Sequence, residues 1–82
     1  MRYKILYEKE ALKELDKLEF SISKRIVKKI DEMSENSSSC DIKKLKGSND
    51  YRLRVGDYRI IFIFDKEIIK IIKVGHRKNI YG

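Results

Sequence analysis

The stretch YRLRVGDYRIIFIFDKEIIKIIKVGHRKNIY, residues 51–81, decides the fold that we predict for this 82-residue chain. Its first five residues alternate between apolar and basic side chains, which is the two-residue period of a half-buried strand. Gly56-Asp57 follows as a two-residue hairpin turn, because glycine tolerates a positive φ at the first central position. A second strand (58–64), a turn at 65–67 and a third strand (68–77) complete two successive hairpins.

The two-residue turn sets the register of the first hairpin and places Arg54 opposite Arg59. Side chains that are directly opposite across an antiparallel pair have Cβ atoms about 4.5–5.5 Å apart, and like charges there destabilise the sheet. Strand parity adds Arg52 and Arg77 to the same face, and a three-residue second turn places Lys73 opposite Arg59. We therefore expect a solvent-facing basic surface whose arginines are costly to folding and required for function.

The opposite face of these strands is apolar and is expected to form the core. Its members are Leu53, Val55, Ile60, Phe62, Phe64, Ile72 and Val74. Residues 2–7 have strand character, and two amphipathic helices follow them. Their apolar stripes are Ala11, Leu12, Leu15 and Leu18 in the first, and Ile22, Ile26, Val27, Ile30 and Met33 in the second. The predicted architecture is α+β in the order β-α-α-β-β-β, with a helical hairpin on one face of a small, mostly antiparallel four-stranded sheet.

The charge of the chain is concentrated in its second half. Residues 1–42 hold nine Lys/Arg and nine Asp/Glu, whereas residues 43–82 hold eleven Lys/Arg and four Asp/Glu, so the whole net charge of +7 belongs to the sheet region. Such a distribution is expected of a surface that binds a polyanion. At this length we expect one domain, residues 1–82.

The remaining composition excludes several classes of protein. Cys40 is the sole cysteine, which excludes a disulfide framework and favours a reducing, cytoplasmic location. No apolar run approaches the ~18 residues that span a bilayer, and no signal peptide is evident, so we expect no membrane contact. There is no glycine-rich phosphate loop, and one His and one Cys do not make a zinc site, so neither metal nor cofactor is expected.

What remains is a cluster of fixed cations beside tyrosines, which suits phosphodiester chemistry in RNA. Arginine can hold a phosphate bidentately and can stabilise the charge that develops on the phosphorane. The 2′-OH of the RNA can attack its own 3′-phosphate and leave a 2′,3′-cyclic phosphate. A tyrosine among arginines can act as a base or stack on a nucleotide, because nearby positive charge favours its phenolate. The same surface could equally bind RNA without cutting it.

Three segments resemble the RelE/ParE superfamily of type II toxin–antitoxin modules: KLKG at 44–47, YRLRVGDYRIIF at 51–62 and KVGHRKNIY at 73–81. The resemblance extends over the whole chain in element order, size and charge distribution. It implies a RelE-type mRNA endoribonuclease (an mRNA interferase) that cuts in the ribosomal A site and inhibits translation. It also implies a cognate RelB-like antitoxin that wraps around the sheet.

Carried over position by position, the resemblance gives a set of catalytic residues. Arg52 and Arg54 would bind phosphate or steady the leaving group, Arg59 and Arg77 would stabilise the transition state, and Tyr81 would orient or deprotonate the 2′-OH. The residues expected to bind RNA or the ribosome are Lys43, Lys44, Lys46, Lys73 and Lys78.

Three alternatives stay open at this point. The ParE branch of the superfamily has the same fold but poisons DNA gyrase, and it lacks this basic set. A non-catalytic RNA-binding module would also account for the basic face. His76 is an alternative to Tyr81 in proton transfer, although strand parity turns its side chain away from Arg77.

Overall fold

The computed structural model describes residues 3–80, and β1 (Lys4–Tyr7) opens the chain as an edge strand. Two helices follow, α1 (Lys9–Lys17) and α2 (Phe20–Glu35), and a single 3₁₀ turn (Ser37–Ser39) ends the helical hairpin. The remaining strands are β2 (Ile42–Lys44), β3 (Tyr51–Val55), β4 (Tyr58–Asp65) and β5 (Ile68–His76). Within residues 3–80, no helix is long and apolar enough to cross a membrane.

The sheet has five strands in the order β1-β5-β4-β3-β2, so the prediction of four strands was wrong. The additional strand is β2, which pairs antiparallel to β3 through Ile42 opposite Leu53 and Lys43 opposite Arg52. At three residues it is too short to give a periodic signal in the sequence. The N-terminal strand β1, whose partner the sequence left undetermined, pairs parallel to β5.

The first hairpin has the predicted register. Arg54 lies opposite Arg59 and Val55 lies opposite Tyr58, with Gly56-Asp57 as the turn between them. Gly56 takes a φ of 58°, in the left-handed region that glycine enters without a steric cost. The prediction that two arginines lie directly opposite each other is therefore confirmed.

The second hairpin differs from its prediction. Asp65 pairs with Ile68, so the turn has two residues rather than three, and a register shift occurs between Ile61 and Phe62. This irregularity places Ile61 opposite Lys73. Arg59 consequently lies opposite Gly75, and the predicted pairing of Arg59 with Lys73 was wrong.

The bulge has a clear packing reason. Ile69, Ile71 and Val74 are all buried, yet 71 and 74 do not share one parity in an unbroken strand. An extra residue in β5 brings both onto the core face, which is the usual effect of a β-bulge. Ile71 therefore takes the core position that was predicted for Ile72, which is only half-buried.

The core lies between the helical hairpin and one face of the sheet. It consists of Ala11, Leu15, Ile26, Ile30, Met33, Leu53, Val55, Ile60, Phe62, Ile69, Ile71 and Val74. Phe64, which was predicted to be in the core, is 38% exposed at its margin, where its ring contacts those of Tyr3 and Tyr51 at 5.3 and 5.1 Å between centroids. Leu12 and Val27 were predicted in the helical stripes but are exposed. All the sheet residues of this core share one face, so the helices cover only that face of the sheet.

Tyr7 in β1 carries a buried hydroxyl that has no hydrogen-bond partner among residues 3–80. Burial, and secondarily the negative charge of Asp31, raises the pKa of Tyr7 from 10.0 to about 12. Because the unfolded chain then releases this proton first, stability that is present below pH 10 should be lost as the pH rises from 10 to 12. We expect Tyr7→Phe to reduce that alkaline loss and to leave stability at neutral pH equal or higher.

Urea unfolding at a series of pH values between neutral and strongly alkaline measures this effect. Tyr58→Phe serves as the matched control, since it removes a tyrosine hydroxyl elsewhere in the sheet. An identical alkaline loss in wild type and Tyr7→Phe would show that Tyr7 is not the group responsible.

Candidate functional site

The candidate site lies on the sheet face that the helices leave uncovered, which we call the open face. Strand alternation directs to it the side chains of Lys43, Arg52, Arg54, Arg59, Ile61 and Lys73. One cross-strand row consists of Lys43, Arg52, Ile61 and Lys73, and the next contains Arg54, Arg59 and Gly75. Basic side chains from four adjacent strands, β2 to β5, therefore share one face of the sheet, as the sequence predicted for Arg52, Arg54, Arg59 and Lys73.

Arg52 and Arg54 are two residues apart on β3 and differ in exposure. The Arg52 side chain is 16% exposed and the Arg54 side chain is 50% exposed. Both guanidinium groups reach the carboxylate of Asp41, which directly precedes β2, at 3.3 Å from Arg52 Nη2 and 3.6 Å from Arg54 Nη1. The two predicted phosphate-binding arginines therefore converge on a single anionic group.

Arg59 is placed on the open face but is only 4% exposed, so the expectation that it faces solvent was wrong. Its Nη1 donates hydrogen bonds to the carbonyl oxygens of Gly56 and Tyr58, at 2.9 and 3.0 Å. These bonds give the buried guanidinium group hydrogen-bond partners within the hairpin turn. Arg59 thus supports the turn that positions Arg54.

The segment after β5 contributes to this burial. Gly75, which is opposite Arg59, lies beneath Ile80, because a Cβ at position 75 would be 3.1 Å from the Ile80 Cδ1. Ile80 itself is buried, at 7% exposure. Tyr81, the predicted residue for the 2′-OH, lies outside the described residues.

His76 ends β5 with the predicted orientation, whereas Arg77 lies in the turn that follows the strand. The Arg77 backbone N–H donates to the Asp57 carbonyl at 2.8 Å, and its half-exposed Nε lies 3.8 Å from Asp57 Oδ1. The His76 ring packs edge-on against Tyr58, with centroids 5.5 Å apart, and its Nδ1 accepts a hydrogen bond from the Lys78 backbone at 3.2 Å. Arg77 therefore borders the hairpin turn, whereas His76 is engaged on the other face.

The predicted RNA-binding lysines divide into two groups. Lys43, Lys44 and Lys46 line an open concavity of about 960 Å³ together with Arg52 and the loop residues 47–49. Lys73 is exposed on the row that contains Arg52, and Lys78 is exposed in the turn after β5. Basic groups thus extend from the arginine pair to the β2–β3 loop, which is an arrangement suited to following a phosphate backbone.

Sequence reasoning missed Asp41 as a member of this site. The signal was present, because pairing Ile42 with Leu53 places Asp41 beside Arg54, but it required β2 to be recognised as a strand. Within the described part of the chain, no group of three or more His, Cys, Asp or Glu side chains is arranged to hold a metal ion.

Comparisons with known proteins agree with this architecture. The family model described as ParE toxin of type II toxin–antitoxin system, parDE, matches residues 5–81. Toxin RelE3 of Methanocaldococcus jannaschii is 44% identical over 84 residues, covering 95% of this chain and 94% of its own.

Solved structures show the same fold in similar toxins. The chain matches the RelB-RelE antitoxin-toxin complex from Methanococcus jannaschii with a TM-score of 0.78 and 40% identity, over 93% of this chain and 94% of that one. It matches the archaeal RelE-RelB complex from Pyrococcus horikoshii OT3 with a TM-score of 0.77 and 29% identity, over 96% and 99%. The chain belongs to the RelE/ParE superfamily of toxins of type II toxin–antitoxin modules.

Proposed function

We propose that this toxin is a ribosome-dependent endoribonuclease that cuts mRNA in the ribosomal A site. The observation that carries the proposal is the convergence of Arg52 and Arg54 on one point of the open face, beside the lysine-lined concavity. Two guanidinium groups that already hold one carboxylate are suitably placed to hold one phosphate. The consequence in the cell is inhibition of translation.

The cleavage reaction needs no nucleophile from the protein. The 2′-OH of the nucleotide before the cut attacks the adjacent phosphorus, and the bond to the 5′ oxygen of the next nucleotide breaks. The products are a 2′,3′-cyclic phosphate and a 5′-OH. Arg52 and Arg54 bind the phosphate and stabilise the charge that develops on its oxygens, with Arg77 at the border of the site. Tyr81 orients or deprotonates the 2′-OH, since the alternative residue, His76, packs on Tyr58 and accepts the Lys78 N–H on the opposite face.

The ribosome supplies what the toxin lacks. Fixed cations stabilise a phosphorane, but they do not align the 2′-OH in line with the leaving oxygen. Holding the mRNA in the decoding site provides that alignment, and orientation of this kind is worth several kcal/mol of the barrier. The surrounding RNA is then contacted by five lysines that extend the positive surface beyond the arginine pair. They are Lys43, Lys44, Lys46, Lys73 and Lys78.

The partner of this toxin is a RelB-like antitoxin. Both archaeal complexes named above contain RelB with a toxin of this fold. An acidic or amphipathic antitoxin that covers the open face neutralises the toxin by occupying its arginines, and charge attraction accelerates the association.

Mapping of mRNA 5′ ends tests the proposed activity. We expect cuts within codons when the toxin is added to translating ribosomes, and few or none when the same mRNA is free in solution. The new ends should carry a 5′-OH, and an added antitoxin should prevent the cuts. Efficient cleavage of the naked mRNA at low toxin concentration would contradict ribosome dependence.

A second candidate function has one observation in its favour, since the matching family model is that of ParE toxins. A ParE-type protein would trap DNA gyrase in a cleaved complex and would leave mRNA intact. Supercoiled plasmid incubated with gyrase and the toxin distinguishes the two activities. Linearised plasmid together with unaltered mRNA would replace the ribonuclease proposal, and absence of both effects would favour a non-catalytic RNA-binding module.

A further inference from the structure

The carboxylate of Asp41 lies between the guanidinium groups of Arg52 and Arg54. Its Oδ1 is 3.3 Å from Arg52 Nη2, and its Oδ2 is 3.6 Å from Arg54 Nη1. Each oxygen therefore faces a different arginine. The two non-bridging oxygens of a phosphodiester would be shared between two arginines in the same way.

The backbone fixes this position of Asp41. The Arg54 N–H donates to the Asp41 carbonyl at 3.0 Å, so the ladder between β2 and β3 continues by one more residue. Alternation from Lys43 then directs the Asp41 side chain to the open face. The side chain itself is 53% exposed, so rotation about its Cα–Cβ bond can release it into solvent without disturbing the strand.

The carboxylate satisfies Arg52 only in part. The Nε of Arg52 is buried and has no hydrogen-bond partner among residues 3–80, although Nη2 is bonded to Asp41. Each arginine receives only one carboxylate oxygen, and the pair with Arg54 is half-exposed to solvent, where ion pairs are typically weak. A phosphate that forms hydrogen bonds with both arginines can therefore replace the Asp41 carboxylate.

We propose that Asp41 occupies the substrate-phosphate position of the free toxin and is displaced by the phosphodiester that binds there. The proposal rests on the proposed function, because it takes an RNA phosphate as the competitor. An internal carboxylate at this position reduces the fraction of molecules whose arginines are free, and it lowers the apparent affinity for phosphodiesters in the same proportion. Asp41 thereby disfavours RNA in solution relative to RNA that the ribosome presents at high effective concentration.

Binding of a DNA trinucleotide tests the proposal, since it has the phosphates but no 2′-OH and so is not cut. We expect Asp41→Asn to bind a fluorescently labelled trinucleotide about fivefold more tightly than wild type, which corresponds to an arginine pair that is free about one-fifth of the time. Asp65→Asn is the matched control. Asp65, the last residue of β4, is 52% exposed and pairs with Lys70 at 3.4 Å, and its substitution changes the net charge equally.

A second measurement follows the arginines directly. The Nε–H NMR signals of Arg52 and Arg54 should shift at lower sulfate concentration in Asp41→Asn than in wild type or Asp65→Asn. Equal gains in affinity for the two variants would show that net charge alone is responsible, and this would overturn the proposal. Weaker binding by Asp41→Asn would also overturn it, because Asp41 would then be positioning the arginines for substrate.

The test of the role of Asp41 can fail or succeed independently of the test of the proposed nuclease activity. Trinucleotide binding requires no cleavage, so tighter binding by Asp41→Asn in a protein that leaves ribosomal mRNA intact would retain the role of Asp41 and refute the nuclease. Conversely, cleavage of ribosomal mRNA with no selective gain in Asp41→Asn would retain the nuclease and refute the role of Asp41.

Discussion

Arg54→Gln should reduce mRNA cleavage on translating ribosomes by about 10²–10³-fold, the usual effect of removing one group that stabilises developing oxyanion charge. The Arg54 side chain is half-exposed, and its guanidinium group is the more accessible of the converging pair. Glutamine keeps much of the length of the side chain but removes the positive charge. Loss of toxicity on induction in cells should parallel the loss of cleavage.

The fold should tolerate this substitution. The change relieves the like-charge contact with Arg59 and also removes the exposed ion pair with Asp41, and each effect is worth at most about 1 kcal/mol. Because they oppose each other, the Tm should stay within about 4 °C of wild type. Lys28→Gln, which removes an exposed cation on α2, is the control for charge and should retain full cleavage. Undiminished cleavage by Arg54→Gln would place the reaction elsewhere.

Arg59→Gln should have its main effect on stability instead. The substitution removes a buried guanidinium that donates to the carbonyl oxygens of Gly56 and Tyr58. Hydrogen bonds that involve a charged group contribute about 1.5–3 kcal/mol, and the lost packing of the buried side chain adds to this. A loss of about 2 kcal/mol would lower the Tm of a domain of this size by about 8–16 °C.

The two arginines make a matched pair, since they lie opposite each other on adjacent strands and receive the same substitution. Thermal unfolding followed by circular dichroism should show a large decrease for Arg59→Gln and little change for Arg54→Gln. This expectation reverses the one drawn from the sequence, which treated both residues as solvent-facing and costly to folding. If the Tm of Arg59→Gln equals or exceeds that of wild type, Arg59 is costly to folding, as the sequence predicted.

The parts of the fold that the sequence predicted are those with strong local signals. Strict alternation in residues 51–55, followed by Gly56-Asp57, leaves one register for the first hairpin, and that register is the observed one. The apolar periodicity of the helices likewise predicted the helical hairpin and most of the residues that it buries. These signals depend only on neighbouring residues, which is why a single sequence was sufficient.

The parts that were predicted wrongly depend on contacts across the fold. Whether the second turn has two or three residues cannot be read from Asp65-Lys66-Glu67, because a bulge farther along β5 adds a second one-residue shift and returns Arg59 and its partner to the predicted face. The burial of Arg59 depends on Ile80 over Gly75 and on the direction that its guanidinium takes. The position of the Asp41 carboxylate beside the arginines could be inferred only once β2 was recognised as a strand that pairs with β3. The roles of the arginines, the lysines and Tyr81 remain predictions.

The parallel pairing of β1 with β5 has a consequence for synthesis of the protein on the ribosome. Residues 4–7 leave the ribosome first, yet their partners, residues 68–71, are translated more than sixty residues later. Until then the helical hairpin has no complete sheet to cover, and contacts of such long sequence separation form slowly. The sheet that carries the arginines therefore remains incomplete until translation has passed residue 76. If the toxin has the proposed activity, this order of synthesis delays that activity until the last strand has been made.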